Sequence, residues 1–396
     1  MDLLRFYLYT YTINKFCNNI TYVLLCCRSK RRMTDEAELQ PRQGFRICLW
    51  GSEPKRGRQM RLPGRTLLAM VFGALLLSRP LCAEVAEVRI SEQFGLAYLP
   101  LIVAKDQGLV EKHAKAAGLP DLKVSYFQFS GGAAVNDALL SGGVDFGSAG
   151  IGPLLTIWDK TKGNLDVRGI AAIDRNAIML NTNNPSIKTI ADFTDKDRIA
   201  VPSVKVSIQS VLLEIAAEQA FGMGNYAKLD PLTVSLKHPD AHAALLSGGA
   251  GLTAHFSQSP YGLQQLSSPK IHTVLTSNEI LGGPATLNVI YTTARFHDAN
   301  PKVTAAVLAA LREADDYIAT HKAAAAKLFV DVEKPAGVTP DLVEGILSDA
   351  NLSGFQVTPA GVDPIADFLA RTGGLSNKPA SWKDYFFPEV YSGTEH

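Results

Sequence analysis

The residues best suited to chemistry in this sequence are glycines and serines in short loops, each placed between an apolar β-type run and a helical run. They are Glu92 to Gly95, Ser130-Gly131-Gly132, Ser148 to Gly152, Pro202 to Ser207 and His255 to Ser259. Several lead directly into a predicted helix. A helix start offers unpaired N–H groups and a partial positive charge, so such a loop can hold an anion without arginine. Glycine lets the backbone come close, and serine hydroxyls add adaptable donors.

Within these loops the candidate ligand contacts are Phe94, Gly95 and Tyr98, then Ser130, Gly131 and Gly132, then Ser148, Gly150 and Ile151. Lys205, Ser207, His255 and Ser257 complete the set. Each has a plainer alternative. Ser130 and Ser148 can simply cap a helix or turn. Lys205 is the only Lys or Arg in these loops; it can pair with an anion or stand solvated. His255 and Ser257 can be packing residues. Phe94 and Tyr98 can cover an alkyl or ring portion of a ligand or belong to the core. Asp145 can cap the following turn or accept an ammonium group of a zwitterion. The loops hold no arginine cluster, which argues against phosphate esters and dicarboxylates.

Catalytic signatures are missing. The sequence has no G-x-x-x-x-G-K-[ST], no H-E-x-x-H and no G-x-S-x-G. We therefore assign no catalytic residue and no cofactor. His238 and His242 are four apart, a spacing compatible with a metal on a helix, but Pro239 makes a helix start the simpler account and no third ligand is evident. We assign no metal site.

Length and charge bound the rest. The chain has 396 residues, 46% hydrophobic and 19% charged, room for two or more domains with a sizeable core. The net charge of +1 hides a split. Up to Ala83 there are 14 basic and 5 acidic residues; the remainder has 25 basic and 33 acidic. An acidic body argues against nucleic acid as a partner, since phosphate contacts need clustered Lys and Arg. All five cysteines lie at or before Cys82, so the body after it has no disulfide, thiolate metal site or cysteine nucleophile.

The front of the chain reads as something other than fold. Residues 60–83 have the pattern of a cleavable secretory signal: Arg61 and Arg65, the apolar run Thr66 to Leu77, a break at Ser78-Arg79-Pro80, and small Ala83 at the cleavage point. Residues 1–59 lie upstream of it and show no consistent helical or strand period. They are a dubious extension, as if Met60 were the start.

After Glu84 the elements that must position the loops alternate between strand and helix. Strands are expected at Val88–Ser91, Leu122–Phe129, Val144–Gly147 and Val167–Ile173, with helices over Leu99–Ala117, Ala133–Leu140 and Pro153–Lys160 between them. A second round follows: a strand at Ile199–Val201, a helix at Ile208–Phe221, and strands at Leu232–Leu236, Leu252–His255 and Ile271–Leu275. From Pro301 the chain is nearly all helical. This rhythm predicts an α/β fold with a mostly parallel sheet covered by helices. The hexamer Ala138–Gly143 recurs as Ala244–Gly249. Each copy closes a helix and precedes an apolar strand, as in two similarly built lobes.

The segments Phe94–Pro100, Ser130–Gly132, Ala138–Gly147, Ile187–Phe193 and Ile199–Pro202, in this order and spacing, resemble the nitrate/taurine/sulfonate-type substrate-binding proteins of ABC transporters. The likeness runs from about Glu87 to Phe386. It departs at Ala250-Gly251 and at Thr194–Lys196, which leaves details of the second lobe open. The resemblance implies a type II periplasmic-binding-protein fold, with two α/β lobes joined by a hinge and a helical C-terminal region. The expected division is 84–180 for the first part of lobe one, 181–288 for lobe two, and 289–396 for the completion of lobe one and the C-terminal helices. It implies a periplasmic, monomeric component of an importer. That component would capture a small anion or zwitterion of the nitrate, taurine or alkanesulfonate class and deliver it to a permease and ATPase. The alternatives are an enzyme on the same fold, similar to the thiamine-pyrimidine synthases or menaquinone-pathway enzymes, and a ligand-sensing domain.

Overall fold

A computed structural model describes residues 7–12, 21–26 and 84–391. The chain divides into two compact units, Met1–Ser78 and Arg79–His396. In the first, β1 (Tyr7–Thr12) pairs antiparallel with β2 (Thr21–Cys26), Tyr7 opposite Cys26. We expected no regular element there. Aromatic and β-branched residues in both segments favour extended backbone. The expected secretory signal at 60–83 lies outside the described residues.

The described part of the second unit begins with Glu84. Its carboxylate accepts from the backbone N–H of Lys302 at 3.0 Å and of Val303 at 2.9 Å. It thereby satisfies donors that the helix Pro301–Thr320 leaves open at its first turn. Among the described residues ten strands follow, in two sheets. In the first, β3 (Glu87–Glu92) pairs in parallel with β4 (Lys123–Gln128), and β12 (Asn288–Thr292) lies antiparallel between β5 (Gly147–Gly150) and β6 (Arg168–Asp174). A parallel bridge from Ile90 to Phe146 joins the two parts. The second sheet has five strands in the order β11 (His272–Thr276), β7 (Met179–Thr182), β10 (Ala254–Ser257), β8 (Ile199–Val201), β9 (Thr233–Ser235). The chain crosses from the first sheet to the second between β6 and β7, at residues 175–178. It returns between β11 and β12.

Helices cover both sheets, as βαβ crossovers require. Leu99–Asp106, Leu109–Ala116 and Pro301–Thr320 pack a core with Ile90, Phe146 and Ile290. A second core runs from the helix Ile151–Thr161 through Ile208–Phe221 to Leu180 and Val201 of the second sheet. The repeated hexamer is built alike in both lobes. Gly142 and Gly248 are equivalent and both left-handed, with φ of 72° and 68°. Ser141 and Ser247 each turn the hydroxyl back to carbonyls three and four residues earlier. Such a glycine ends a helix without the steric cost of a Cβ.

Two loop assignments change. Ser148 and Gly150 lie in β5, and the helix starts at Ile151 rather than Pro153. β10 runs past His255, the expected strand end, through Ser257, so the loop begins only after Ser257.

Candidate functional site

A narrow cleft lies where loops of the two sheets meet. From the first lobe it is lined by Gln93, Phe94 and Tyr98, by Gly132 and Gly150, and by Asn288 at the start of β12. From the second it is lined by Pro202, Ser207, Gln209, His238 and Gln258. The free space at its centre is about 10 Å³, about what one water needs. The lobes are closed on one another. Leu96 N–H donates to Ser259 O across the gap at 2.7 Å, and Ala133 N–H reaches Ser203 Oγ at 3.4 Å.

Four helix starts converge here, two from each lobe. Gly131 and Gly150 are the N-caps of Gly132–Leu140 and Ile151–Thr161. Ser207 is the N-cap of Ile208–Phe221, and its side chain accepts from Ser210 N. His238 is the first residue of His238–Ser247, with Pro239 beside it. None of the lining residues is charged. The lining's own positive field comes from helix ends, each equivalent to about half an elementary charge, with Lys237 at the edge, its Nζ 5.5 Å from the Phe94 ring.

Neutral side chains supply the directional donors. Gln258 is 2% exposed and its Nε2 has no hydrogen-bond partner. A buried amide N–H left open costs about 1–3 kcal/mol, so this face of the cleft favours an acceptor. Gln93 Nε2 is committed to Ser148 O at 3.1 Å. Tyr98 donates to Asn288 Oδ1 at 3.2 Å, and Asn288 donates from its backbone and its Nδ2 to Asp174 Oδ1 at 2.9 and 3.0 Å. Asp174 is fully buried under this floor. Burial pushes its carboxyl up to about 7, against the pull of the Asn288 and Asn176 hydrogen bonds.

Among the sequence candidates, Phe94, Tyr98, Gly132, Gly150 and Ser207 line the cleft. Gly131 and Gly95 stand at its rim: a Cβ on Gly131 would fall 2.7 Å from Pro202 O, and one on Gly95 3.2 Å from Ser259 O. Ser130 precedes that rim. Ser148 is buried in β5, its hydroxyl and N–H both engaged with Ser91. Ile151 is buried with its N–H on Leu287 O. Lys205 is not drawn in. It is exposed at a left-handed turn with φ of 62°, and its charge acts on Glu214 and Asp230 instead. His255 lies behind His238, 2.9 Å from it, and Ser257 is buried beside Gln258. Asp145 is taken by Arg89, through contacts of 2.8 and 3.0 Å. It faces no ligand.

Sequence reasoning missed Gln93, Gln209, His238, Gln258 and Asn288. The only signal available was position: each lies at or just beyond a strand or helix end, where ligands of α/β sheets bind.

A model of the NMT1-like family matches residues 82–330. No curated protein matches the chain in sequence. Among solved structures, the alkanesulfonate-binding protein SsuA from Xanthomonas axonopodis pv. citri, bound to MOPS, is similar at 22% identity and a TM-score of 0.58, over 75% of this chain and 96% of that one. The periplasmic aliphatic sulphonate binding protein SsuA from Escherichia coli is similar at 21% and 0.56, over 78% and 100%. The periplasmic nitrate-binding protein NrtA from Synechocystis PCC 6803 is similar at 17% and 0.61, over 79% and 90%. These likenesses show the fold, that of the periplasmic binding proteins. With the family match spanning well over half of its length, the chain belongs to the NMT1-like family.

Proposed function

We propose that this protein is the solute-binding component of an ABC-type importer. It captures a small oxyanion or organic sulfonate in the cleft between its lobes and works as a monomer in the periplasm, handing the solute to a permease and ATPase. The observation that carries this reading is the meeting of four helix starts from two lobes around an uncharged cleft with an open buried amide donor. A singly charged, weakly basic oxyanion suits backbone and amide donors and needs no arginine. Structural neighbours that bind alkanesulfonates and nitrate support the same ligand class. Two lobes joined by two crossings supply the hinge that closure on a solute needs.

A thermal-shift panel tests it: nitrate, taurine, methanesulfonate, longer alkanesulfonates and aromatic sulfonates. A solute that binds only the folded state raises the melting temperature in a concentration-dependent way. Stabilisation by at least one member is expected. No stabilisation by any, together with turnover of a substrate, would replace the binding protein by an enzyme.

A further inference from the structure

Behind the cleft, four buried side chains form one hydrogen-bond chain that ends on a fifth, Gln209. Asn181, Gln265, His255, His238 and Gln209 are each 5% exposed or less. Strand register builds its root. Asn181 of β7 stands opposite Thr273 of β11 and His255 of β10, so the three share one row across the sheet. Asn181 Nδ2 donates to the backbone oxygen of Gly262 at 2.8 Å, and Oδ1 accepts from Thr273 Oγ1 at 2.9 Å. A backbone carbonyl can only accept, so the amide of Asn181 has one orientation.

That orientation propagates. Asn181 Nδ2 also donates to Gln265 Oε1 at 3.0 Å, which leaves Gln265 Nε2 facing His255 Nδ1 at 2.8 Å. His255 Nδ1 must accept, so its proton sits on Nε2. His255 Nε2 then donates to His238 Nδ1 at 2.9 Å, and the proton of His238 sits on Nε2. That N–H meets the amide of Gln209, whose Nε2 is placed 3.3 Å away. Two donors cannot face each other, and Gln209 is the only member not anchored, so its amide turns over. Its oxygen accepts from His238, and its NH2 faces the cleft that Gln209 lines.

We propose that Gln209 is a specificity-determining residue and that Asn181, Gln265, His255 and His238 are positioning residues that hold its NH2 toward the solute. The cleft thereby selects a solute that presents an acceptor oxygen at that point; this clause rests on the solute-binding reading above. Protonation of either ring is opposed by the geometry, since a second N–H on His255 would face the Gln265 NH2 and one on His238 would face the His255 N–H. Burial acts in the same direction on both histidines.

Imidazole 15N shifts, assigned in the ligand-free protein at neutral pH, test the chain without any solute. His238 and His255 are expected to be neutral and protonated on Nε2, and Gln265→Met is expected to admit the Nδ1-protonated form at both. A proton on Nδ1 of either ring in the wild type, or an unchanged spectrum in Gln265→Met, overturns the proposal. Methanesulfonate is the probe for the binding clause. Gln209→Glu still accepts from His238 but turns a carboxylate oxygen to the cleft; affinity should fall about 100-fold or more, and about tenfold in Gln265→Met. Wild-type affinity in Gln209→Glu overturns the role of Gln209. A wild type that binds no member of the anion panel, yet shows both rings protonated on Nε2, sinks the solute-binding reading alone.

Discussion

Gly131 of the first lobe lies directly against Ser203 of the second, so that any side chain at 131 would start 2.7 Å from the Pro202 carbonyl and closer still to the Ser203 hydroxyl. The Gly131 backbone is extended, with φ of 180° and ψ of 170°, which every residue adopts. What the missing side chain protects is therefore lobe closure and not the local fold.

Gly131→Ala should leave the melting temperature of the ligand-free protein nearly unchanged while weakening solute binding about ten- to 100-fold, because the closed state becomes the minor one. Parallel thermal melts and calorimetric titrations check this. Loss of fold stability equal to the loss of affinity would contradict it.

Gln258→Leu should separate stability from function. The variant removes a buried Nε2 that has no partner, so the ligand-free protein is expected to be as stable as the wild type or more so, by about 1 kcal/mol. Affinity for the solute should fall. Urea denaturation and titration of the same preparation read both effects.

Asp174 should make stability depend on pH. Its folded carboxyl is raised to about 7, against about 3.9 unfolded. A raised carboxyl stabilises the fold fully below the unfolded value, and that contribution is lost as pH rises toward 7. Asp174→Asn lacks this titration. Relative to the variant, the wild type should lose about 1.4 kcal/mol per pH unit between about 4 and 7 and then level off. Urea denaturation of both proteins at pH 5, 6, 7 and 8.5 checks the slope; parallel curves would contradict it.

Glu84→Ala should cost about 0.5–2 kcal/mol, since it opens the N–H groups of Lys302 and Val303 that the carboxylate satisfies. Denaturation midpoints of Glu84→Ala and Glu84→Gln compare loss of the cap with loss of its charge.

Much of this architecture is legible in the sequence. Ile199–Val201 and Ile208–Phe221 fall where an apolar run and helical spacing place them. Gly147–Gly150 is harder to read, because Gly-Ser-Ala-Gly has no β-branched residue. It forms β5 since only small residues fit there: Gly147 faces the Tyr291 ring and Gly150 faces Ile208. His255 reads as the last residue of a strand, where a loop begins. It is fully buried in β10 because His238 and Gln265 satisfy both ring nitrogens. The amides that furnish the cleft have no periodic signature. Gln209 and Gln258, far apart in sequence, become site residues only because β8 and β10 lie side by side in the second sheet and the first lobe closes over their ends. Lys205 misled for the opposite reason: a lone cation attracts notice, yet its left-handed turn aims it at Glu214 and Asp230.

The most direct measurement is calorimetric titration of the wild type and of Gly131→Trp, side by side, with the panel member that stabilises the protein most. The expected result is one solute bound per wild-type chain and none by the variant, whose indole would hold the lobes apart at an extended backbone position. Equal binding by Gly131→Trp would place the solute elsewhere than between the lobes and contradict the account.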